Sequence, residues 1–366
     1  FPAAAFRWNI SRENFLAGVS WIDDLSIRAS AGRSGNDAIG TYMSRSILTS
    51  DKGVWMLGDY RPAAYYDTRL SNGNLTWETT DSYNVGLNFS AFGERLNLEV
   101  DAYQSKTSDL LLAMKTNQST GYDTYFTNMG STRNRGVEIS LTTRNIVSRK
   151  FSWSTMLTVS HNAQLVLDAG EDRLVPTYSN FRNTTQPLYG YRAGYPVNSL
   201  WGYQYAGVWH SQDEIDRNKI SRTYVSSGTE QLGICRYVDQ NNDGLLDQDD
   251  LVYQGNADPV AYGGFQNSFT IGNLSLKVYA TWSLGGKIYN ISEILAGSGS
   301  RAYNKYRYML DSWDPELNPG SDIPRAGKED YNASDRMIYD ASYIRLKEVS
   351  VSYRFDIAKK WCKSIV

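Results

Sequence analysis

A run of oxygen-bearing side chains between positions 239 and 250 is the clearest chemical motif in the chain. Aspartate or asparagine stands at loop positions 1, 3, 5, 9 and 12, with glycine at position 6, which is the spacing of a 12-residue calcium-binding loop. Position 7 would contribute its main-chain carbonyl. The predicted ligands are Asp239, Asn241, Asp243, Leu245, Asp247 and Asp250. We expect a structural Ca²⁺ ion that braces a loop; the alternative is an Asx-rich surface turn without metal.

Tyrosine and tryptophan side chains form a second group with chemical potential. Exposed aromatic rings can stack on sugar rings, and tyrosine hydroxyls can bond to sugar hydroxyls. The same residue types are enriched where proteins dock onto one another, and they also pack inside ordinary loop domains. The candidate substrate or partner contacts are Tyr178, Tyr189, Tyr191, Tyr195, Trp201, Tyr203, Tyr205 and Trp209, with Tyr122 and Tyr125 in a separate loop.

Residues suited to catalysis are scarce. The chain has two histidines and two cysteines, Cys235 and Cys362, and it lacks a G-x-S-x-G nucleophile motif. We therefore expect no enzyme. A glycan-degrading enzyme stays as an open alternative, since the separation between paired carboxylates cannot be read from a sequence.

The composition further limits the classes of protein to which the chain could belong. The 366 residues carry a formal charge of −2, which argues against a nucleic-acid partner. No apolar run reaches the roughly 20 residues that a membrane-spanning helix needs. The 27 tyrosines, 10 tryptophans and 30 glycines are typical of extracellular β proteins and of outer-membrane barrels with aromatic girdles.

Apolar and polar residues alternate strictly in many segments, and this alternation predicts two-faced β-strands. Several of these segments are longer than an ordinary globular strand and match the roughly 9–11 residues of a tilted membrane-spanning strand. The predicted nine strands cover about 3–10, 21–32, 77–92, 96–107, 135–145, 151–162, 259–271, 274–284 and 341–356.

Connections of two lengths alternate along the chain. Short turns at 93–95, 146–150 and 272–273 contrast with long loops, and outer-membrane barrels have short turns on the periplasmic side and long loops outside. Strand parity then predicts that 163–258 is a large extracellular region, with 195–209 as a hairpin within it. A surface β-sandwich, such as an adhesin or carbohydrate-binding module, is the alternative from a different class.

The two faces of the predicted strands differ in what they would contact. Apolar side chains such as Leu87 and Val278 would face lipid, while polar ones such as Asn88, Glu99 and Tyr103 would line the lumen. An open sheet in lipid leaves unpaired backbone groups at both edges, each costing several kcal/mol. We therefore expect the chain to be part of a longer barrel protein.

Short motifs along nearly the whole chain resemble the C-terminal half of a SusC/RagA-type TonB-dependent outer-membrane transporter. The motifs include RASAGRSGN, LTWETT, KTSDLL and NMG followed by NRGVE. Each is weak alone, but their order and spacing make the resemblance specific. They lie at Arg28–Asn36, Leu75–Thr80, Lys106–Leu111, Asn128–Glu138, Asp239–Gly244 and Ser342–Lys347.

The resemblance implies an all-β fold, a transmembrane antiparallel barrel of about 22 strands with a plug domain that lies outside this chain. It also implies a SusD-like lipoprotein over the extracellular mouth and energy from the TonB complex, which would act through the missing N-terminal region. The implied function is import of oligosaccharides across the outer membrane of a Gram-negative bacterium. A peptide importer of the same family is the alternative.

Overall fold

A computed structural model describes most of the chain. It covers residues 1–37, 40–51, 64–67, 70–122, 124–170, 173–176, 187–218, 231–290, 292–297, 304–327, 332–359 and 362–365. Antiparallel strands dominate these ranges, which confirms the all-β prediction. In the same ranges, no helix combines the length and the apolar character needed to cross a membrane.

Nine strands form one large sheet whose spatial order is the order along the chain. Every neighbouring pair is antiparallel, and the registers run without interruption except at a few bulges. All nine predicted strands are present. They are Ala3–Asn9, Ile22–Asn36, Glu78–Ala91, Leu96–Ser108, Ser131–Val147, Phe151–Asp168, Ala261–Ile271, Leu274–Leu284 and Tyr343–Tyr353.

Some strand ends differ from the prediction. The strand Phe151–Asp168 continues six residues beyond the predicted end at 162, because Ala163 to Val166 keep their ladder pairing with the preceding strand. At the chain's far end the prediction was too long. The last wall strand stops at Tyr353, and the residues that follow form a separate hairpin, Phe355–Lys359 with Cys362–Ile365.

The two ends of the sheet differ in their connections. At one end the links are short, covering 10–21, 92–95, 148–150 and 272–273, and Gly93 and Gly272 adopt the positive φ values of 66° and 59° that such turns need. At the other end the links cover 37–77, 109–130, 169–260 and 285–342. The predicted sorting of short turns and long loops is therefore present.

The sheet has one apolar and one polar face. Apolar side chains on the first face are open to their surroundings, with exposed fractions of 56% for Val85, 43% for Phe265 and 66% for Val351. Within the described ranges no second sheet pairs or stacks over this face. A β-sandwich would bury those side chains between two sheets, so the sandwich alternative is wrong.

Most of the buried apolar side chains lie outside the sheet, where the described parts of the loops 169–260 and 285–342 fold together into a lobe. Tyr203, Cys235, Tyr237, Leu246 and Leu251 form its central cluster. The lobe's strands are Arg173–Pro176, Pro187–Tyr191, Ser199–Gly202 and Val252–Asn256 in one sheet, then Tyr205–Val208 with Cys235–Tyr237, and Lys287–Tyr289 with Ile338–Asp340. Its helices are Gln212–Arg217 and Ser292–Ala296, with short 3₁₀ turns at Gln248–Asp250, Arg307–Asp311 and Asp335–Met337.

The two long loops are tied together by main-chain hydrogen bonds. Tyr203 donates its N–H to the carbonyl of Ala333 (2.8 Å), and Arg325 donates to the carbonyl of Gly233 (2.7 Å). The Tyr237 hydroxyl accepts from the N–H of Asn332 at 2.9 Å. Each loop therefore contributes hydrogen bonds that stabilise the conformation of the other.

The predicted hairpin at 195–209 is wrong. Ser199–Gly202 pairs with Pro187–Tyr191 and with Val252–Asn256, whereas Tyr205–Val208 pairs with Cys235–Tyr237. The chain changes partner between these strands because Tyr203 hydrogen-bonds to the other long loop. Two remaining small hairpins lie in the earlier loops, Leu48–Asp51 with Ala64–Asp67 and Leu111–Lys115 with Thr124–Asn128.

Candidate functional site

An aromatic surface lies on the four-stranded sheet of the lobe. The ring of Tyr195 meets Trp201 edge-on at a centroid distance of 4.8 Å and lies 5.3 Å from the ring of Tyr253. The Arg192 guanidinium is stacked 4.3 Å above the Trp201 ring on a cation–π contact. Trp201 is itself held in place because its indole N–H donates to the hydroxyl of Ser199 at 2.9 Å.

Access to this cluster is uneven. Trp201 is 3% exposed, whereas Tyr195 and Tyr253 are 37% and 41% exposed. Tyr191 is also exposed, but it lies two residues after Tyr189, which pairs with Leu200, so the register puts it on the face opposite Trp201. Partial burial, reinforced by the neighbouring Tyr195, raises the pKa of the Tyr253 hydroxyl, so it stays a neutral donor and acceptor at physiological pH. Two neutral tyrosines over a buried tryptophan form a surface suited to a polyhydroxylated or amide-bearing ligand.

The other predicted aromatic residues are distributed differently. Tyr203 and Trp209 are buried in the lobe, and the Tyr205 hydroxyl donates to the carbonyl of Asp322 (2.5 Å). These three side chains therefore stabilise the lobe itself. Tyr189 sits opposite Leu200 in the lobe sheet. Tyr178 lies outside the described residues.

The candidates in the earlier loop are far from this cluster in the chain. Tyr125 pairs with Met114 in a small hairpin, and the Tyr122 hydroxyl faces the carboxylate of Asp67 at 3.5 Å. Sequence reasoning missed Tyr253, which follows the aspartate-rich loop directly. Its position opposite Trp201 in the strand register could not be inferred without knowing that Val252–Asn256 pairs with Ser199–Gly202.

The predicted calcium loop adopts a tight conformation. Asn242 and Gly244 have positive φ values of 60° and 84°, which produce the sharp turn expected around the glycine. Asp239 accepts hydrogen bonds from the N–H groups of Asn242 (2.7 Å) and Gly244 (2.9 Å). At the far end, the fully buried Asp250 accepts from the N–H groups of Gln240 (2.7 Å) and Asp247 (2.9 Å) and so closes the loop.

The side chains of this loop have suitable donor atoms for Ca²⁺ but do not converge on a common point. The donors are all hard oxygens, which suits Ca²⁺, but the carboxylates are engaged by main-chain N–H groups. In the described part of the chain no three acidic, histidine or cysteine side chains converge on a common point that could hold a metal ion. The calcium site therefore stays a prediction.

The polar face of the sheet carries a bridging network near the short-turn end. Arg28 donates to Asn88 and to Glu99, each at 2.9 Å, and also to Asp101. These partners lie on the next two strands of the sheet, so one guanidinium ties three neighbouring strands together. Further along the face, Lys277 pairs with Glu348 at 3.1 Å.

Long side chains on the polar face lie flat over glycines of the next strand. A Cβ atom on Gly136 would approach the Tyr103 ring to 2.5 Å, and one on Gly86 would approach the Arg28 side chain to 2.4 Å. The Tyr103 hydroxyl is fixed by a 2.9 Å hydrogen bond to Asn162. The wall is therefore lined by side chains held in place by packing and hydrogen bonds.

Taken together, the chain-ordered antiparallel sheet, its exposed apolar face and its polar face define the wall of a transmembrane β-barrel. Comparison with known sequences identifies the family within this class. The chain belongs to the TonB-dependent receptor-like β-barrel family, whose model matches residues 3–291. Its members are transporters of the outer membrane of Gram-negative bacteria.

Similar proteins agree on this family. TonB-dependent receptor P26 of Formosa agariphila is 33% identical over 366 residues, which cover 98% of this chain and 36% of the relative. TonB-dependent receptor SusC of Bacteroides thetaiotaomicron is 27% identical, over 97% of this chain and 34% of SusC. The chain thus spans about a third of the length of the curated relatives that it matches.

Among solved structures, the RagAB peptide transporter superposes with a TM-score of 0.77 at 23% identity, over 96% of this chain and 36% of that one. RagAB in its "closed-closed" state gives a TM-score of 0.78 at 22% identity. At this level of identity the likeness shows the barrel fold. The predicted resemblance to SusC/RagA-type transporters is confirmed.

Proposed function

We propose that the protein containing this chain imports oligosaccharides across the outer membrane, driven by the TonB complex and assisted by a SusD-like lipoprotein that covers the loop side. Family membership supports the transport mechanism. The observation that favours a sugar ligand is the exposed tyrosine surface formed by Tyr195 and Tyr253 on the lobe. The long loops would then face outside and the short turns the periplasm.

The tyrosine surface could bind the substrate on its way to the pore. Stacking of a sugar ring on an aromatic face depends on C–H contact with the ring and on hydrogen bonds at its edge, and tyrosine supplies both. Trp201 lies beneath and keeps the tyrosines apart from the lobe interior. No charged side chain is needed for this mode of recognition, which suits a neutral glycan.

Peptide import is the second candidate. The RagAB structures that superpose on this chain are named as a peptide transporter and importer, and tyrosine surfaces also bind extended peptides. Uptake experiments can distinguish oligosaccharide import from peptide import, because only the transported class of substrate should depend on the aromatic surface.

The test uses the full-length protein with its lipoprotein partner in the outer membrane of intact cells. Uptake of fluorescent oligosaccharides and of fluorescent peptides is measured with and without a proton-motive-force uncoupler. The variant Tyr195→Ala/Tyr253→Ala should lose about tenfold in oligosaccharide affinity, since two aromatic contacts contribute roughly 1–3 kcal/mol. Phe15→Ala is the matched control, because Phe15 is 68% exposed but lies at the short-turn end.

Energy-dependent oligosaccharide uptake that the double tyrosine variant weakens and Phe15→Ala does not would support the proposal. Energy-dependent uptake of peptides alone would replace glycan import with the second candidate. Oligosaccharide uptake unaffected by the uncoupler would contradict the TonB-driven mechanism.

A further inference from the structure

Four basic residues gather on the apolar, lipid-facing side of the sheet, close to its long-loop end. The strand register places Arg33, Asp81, Lys106 and Arg133 in one row across four neighbouring strands. Arg135 follows two residues after Arg133 and therefore points to the same face. Four cations thus face a single carboxylate.

The carboxylate is already engaged. Arg33 grips Asp81 with two parallel hydrogen bonds, Nε to Oδ1 at 2.6 Å and Nη2 to Oδ2 at 2.8 Å. Lys106 lies across from Asp81 on the other side. Within the described ranges, no carboxylate pairs with Arg133 or Arg135.

This arrangement is unfavourable for the isolated wall. Lys106 and Arg133 stand directly opposite one another in an antiparallel pair, where Cβ atoms are about 4.5–5.5 Å apart and like charges destabilise the sheet. A bound anion between them would turn this repulsion into attraction. Arginine is well suited to this role because its planar fork binds phosphate oxygens in pairs.

The height of the cluster identifies the environment. Lys106 is ten residues along its strand from Leu96, at the short-turn end. At about 3.4 Å per residue and a tilt near 45°, that is roughly 24 Å along the membrane normal, the height of the apolar band of a barrel. The cluster therefore sits where lipid head groups begin.

The surface beneath the cluster is aliphatic. Below Arg135 and its cross-strand neighbour Gln104, the same face continues with Val137 opposite Ala102 and then Ile139 opposite Val100. Val137 is 39% exposed, so acyl chains can lie against it. Cations above an aliphatic stripe match an anionic amphiphile with its head group uppermost.

We propose that Lys106, Arg133 and Arg135 form a binding site for the phosphate groups of the lipopolysaccharide in the outer leaflet. The assignment of the leaflet rests on the proposed function, in which the long loops face outside. Lipopolysaccharide meets the description because it is a phosphorylated glycolipid confined to that leaflet. Arg33 and Asp81 form the edge of the site and orient Lys106.

The test uses the full-length barrel reconstituted in nanodiscs with added lipid A, and measures bound lipid A by native mass spectrometry. The variant Lys106→Gln/Arg133→Gln/Arg135→Gln should bind bisphosphorylated lipid A about 100-fold more weakly than the wild type, since each cation near a lipid surface contributes substantially. The matched control is Arg144→Gln/Arg149→Gln/Lys150→Gln, which removes three cations at the short-turn end. Heat-modifiable migration on gels confirms that both variants are folded.

Two results together would support the site. Bisphosphorylated lipid A should bind more weakly to the Lys106→Gln/Arg133→Gln/Arg135→Gln variant but not to the control, and the wild type should bind monophosphorylated lipid A more weakly than the bisphosphorylated form. Equal binding by the wild type and the first variant, or an equal loss in the control, would overturn it. Orientation is tested separately with a membrane-impermeant thiol reagent on intact cells. Gly73→Cys lies at the long-loop end and should be labelled, whereas labelling of Gly18→Cys alone would place the cluster in the inner leaflet and overturn the proposal.

Uptake on the same cells separates this inference from the proposed function. Loss of lipid A binding with normal oligosaccharide uptake would support the site and leave import intact. Normal lipid A binding without oligosaccharide uptake would contradict the proposed import function but not the lipid A site.

Discussion

Asp250 offers a direct test of how the aspartate-rich loop is held. Its side chain is fully buried, and its two oxygens accept N–H groups from opposite ends of the loop, Gln240 at 2.7 Å and Asp247 at 2.9 Å. In Asp250→Asn only one of the two terminal atoms can accept. The amide nitrogen would then face a main-chain N–H, donor against donor.

The magnitude follows from that loss. A hydrogen bond to a charged group contributes about 1.5–3 kcal/mol, and a buried donor left without a partner costs a similar amount. Since 1.4 kcal/mol corresponds to a factor of ten, local opening of the loop should become roughly 10- to 150-fold more frequent. The rest of the barrel should be unaffected because the bonds are confined to the loop.

Hydrogen–deuterium exchange of the full-length protein in detergent, with EDTA present, measures this opening. The amides of Gln240 and Asp247 should exchange faster in Asp250→Asn, while the strand Leu96–Ser108 serves as an internal reference. Asp249→Asn is the matched control, because the neighbouring Asp249 is exposed. Unchanged exchange at Gln240 and Asp247 in Asp250→Asn would refute the assignment of Asp250 as the closing residue of the loop.

Three further predictions concern the same loop and two other regions. If the loop binds calcium, Asp239→Ala/Asp243→Ala should abolish a calcium-dependent rise in the lobe's melting temperature; an equal EDTA response in variant and wild type would remove the calcium prediction. The main-chain N–H groups three and two residues after Asp314 lower the pKa of its carboxyl, so its contribution to stability is present above the ordinary aspartate pKa and is lost as the pH falls through the lowered value. Asp314→Asn should therefore flatten the acid limb of a thermal-stability profile, and an unchanged limb would contradict this. Gly136→Ala places a Cβ atom 2.5 Å from a tyrosine ring and should destabilise the barrel by about 1–3 kcal/mol. Urea unfolding measures this loss, and Gly18→Ala, which meets open space, should leave the midpoint unchanged.

The wall could be predicted from the sequence because its signal is local. Each strand alternates in hydropathy over its own residues, as in Phe151–Asp168, and each short turn follows directly. Antiparallel pairing of chain neighbours then leaves little freedom in topology. The remaining errors were at strand ends, where pairing with a neighbour extends a strand beyond its alternating segment.

The lobe could not be predicted to the same depth. Whether an aromatic residue there is buried, like Trp209, or exposed, like Tyr195, depends on contacts with other segments of the chain, such as Trp209 with Ile234 and Tyr195 with Tyr253. The partner of Trp201 in the aromatic surface, Tyr253, is set by a strand pairing of the same long-range kind. Nothing in the local sequence distinguishes a stacking platform from a core.

The bonds between the two long loops have a consequence for biogenesis. The loop 169–260 and the loop 285–342 are separated in the chain by the wall hairpin Ala261–Leu284, yet each supplies main-chain partners to the other. The lobe can therefore be completed only when the wall hairpin is in place and both loops lie on the same side of the bilayer. Maturation of the lobe thus reports that this hairpin has been inserted, and a barrel in which it has failed to insert would leave the lobe unfinished and open to proteolysis.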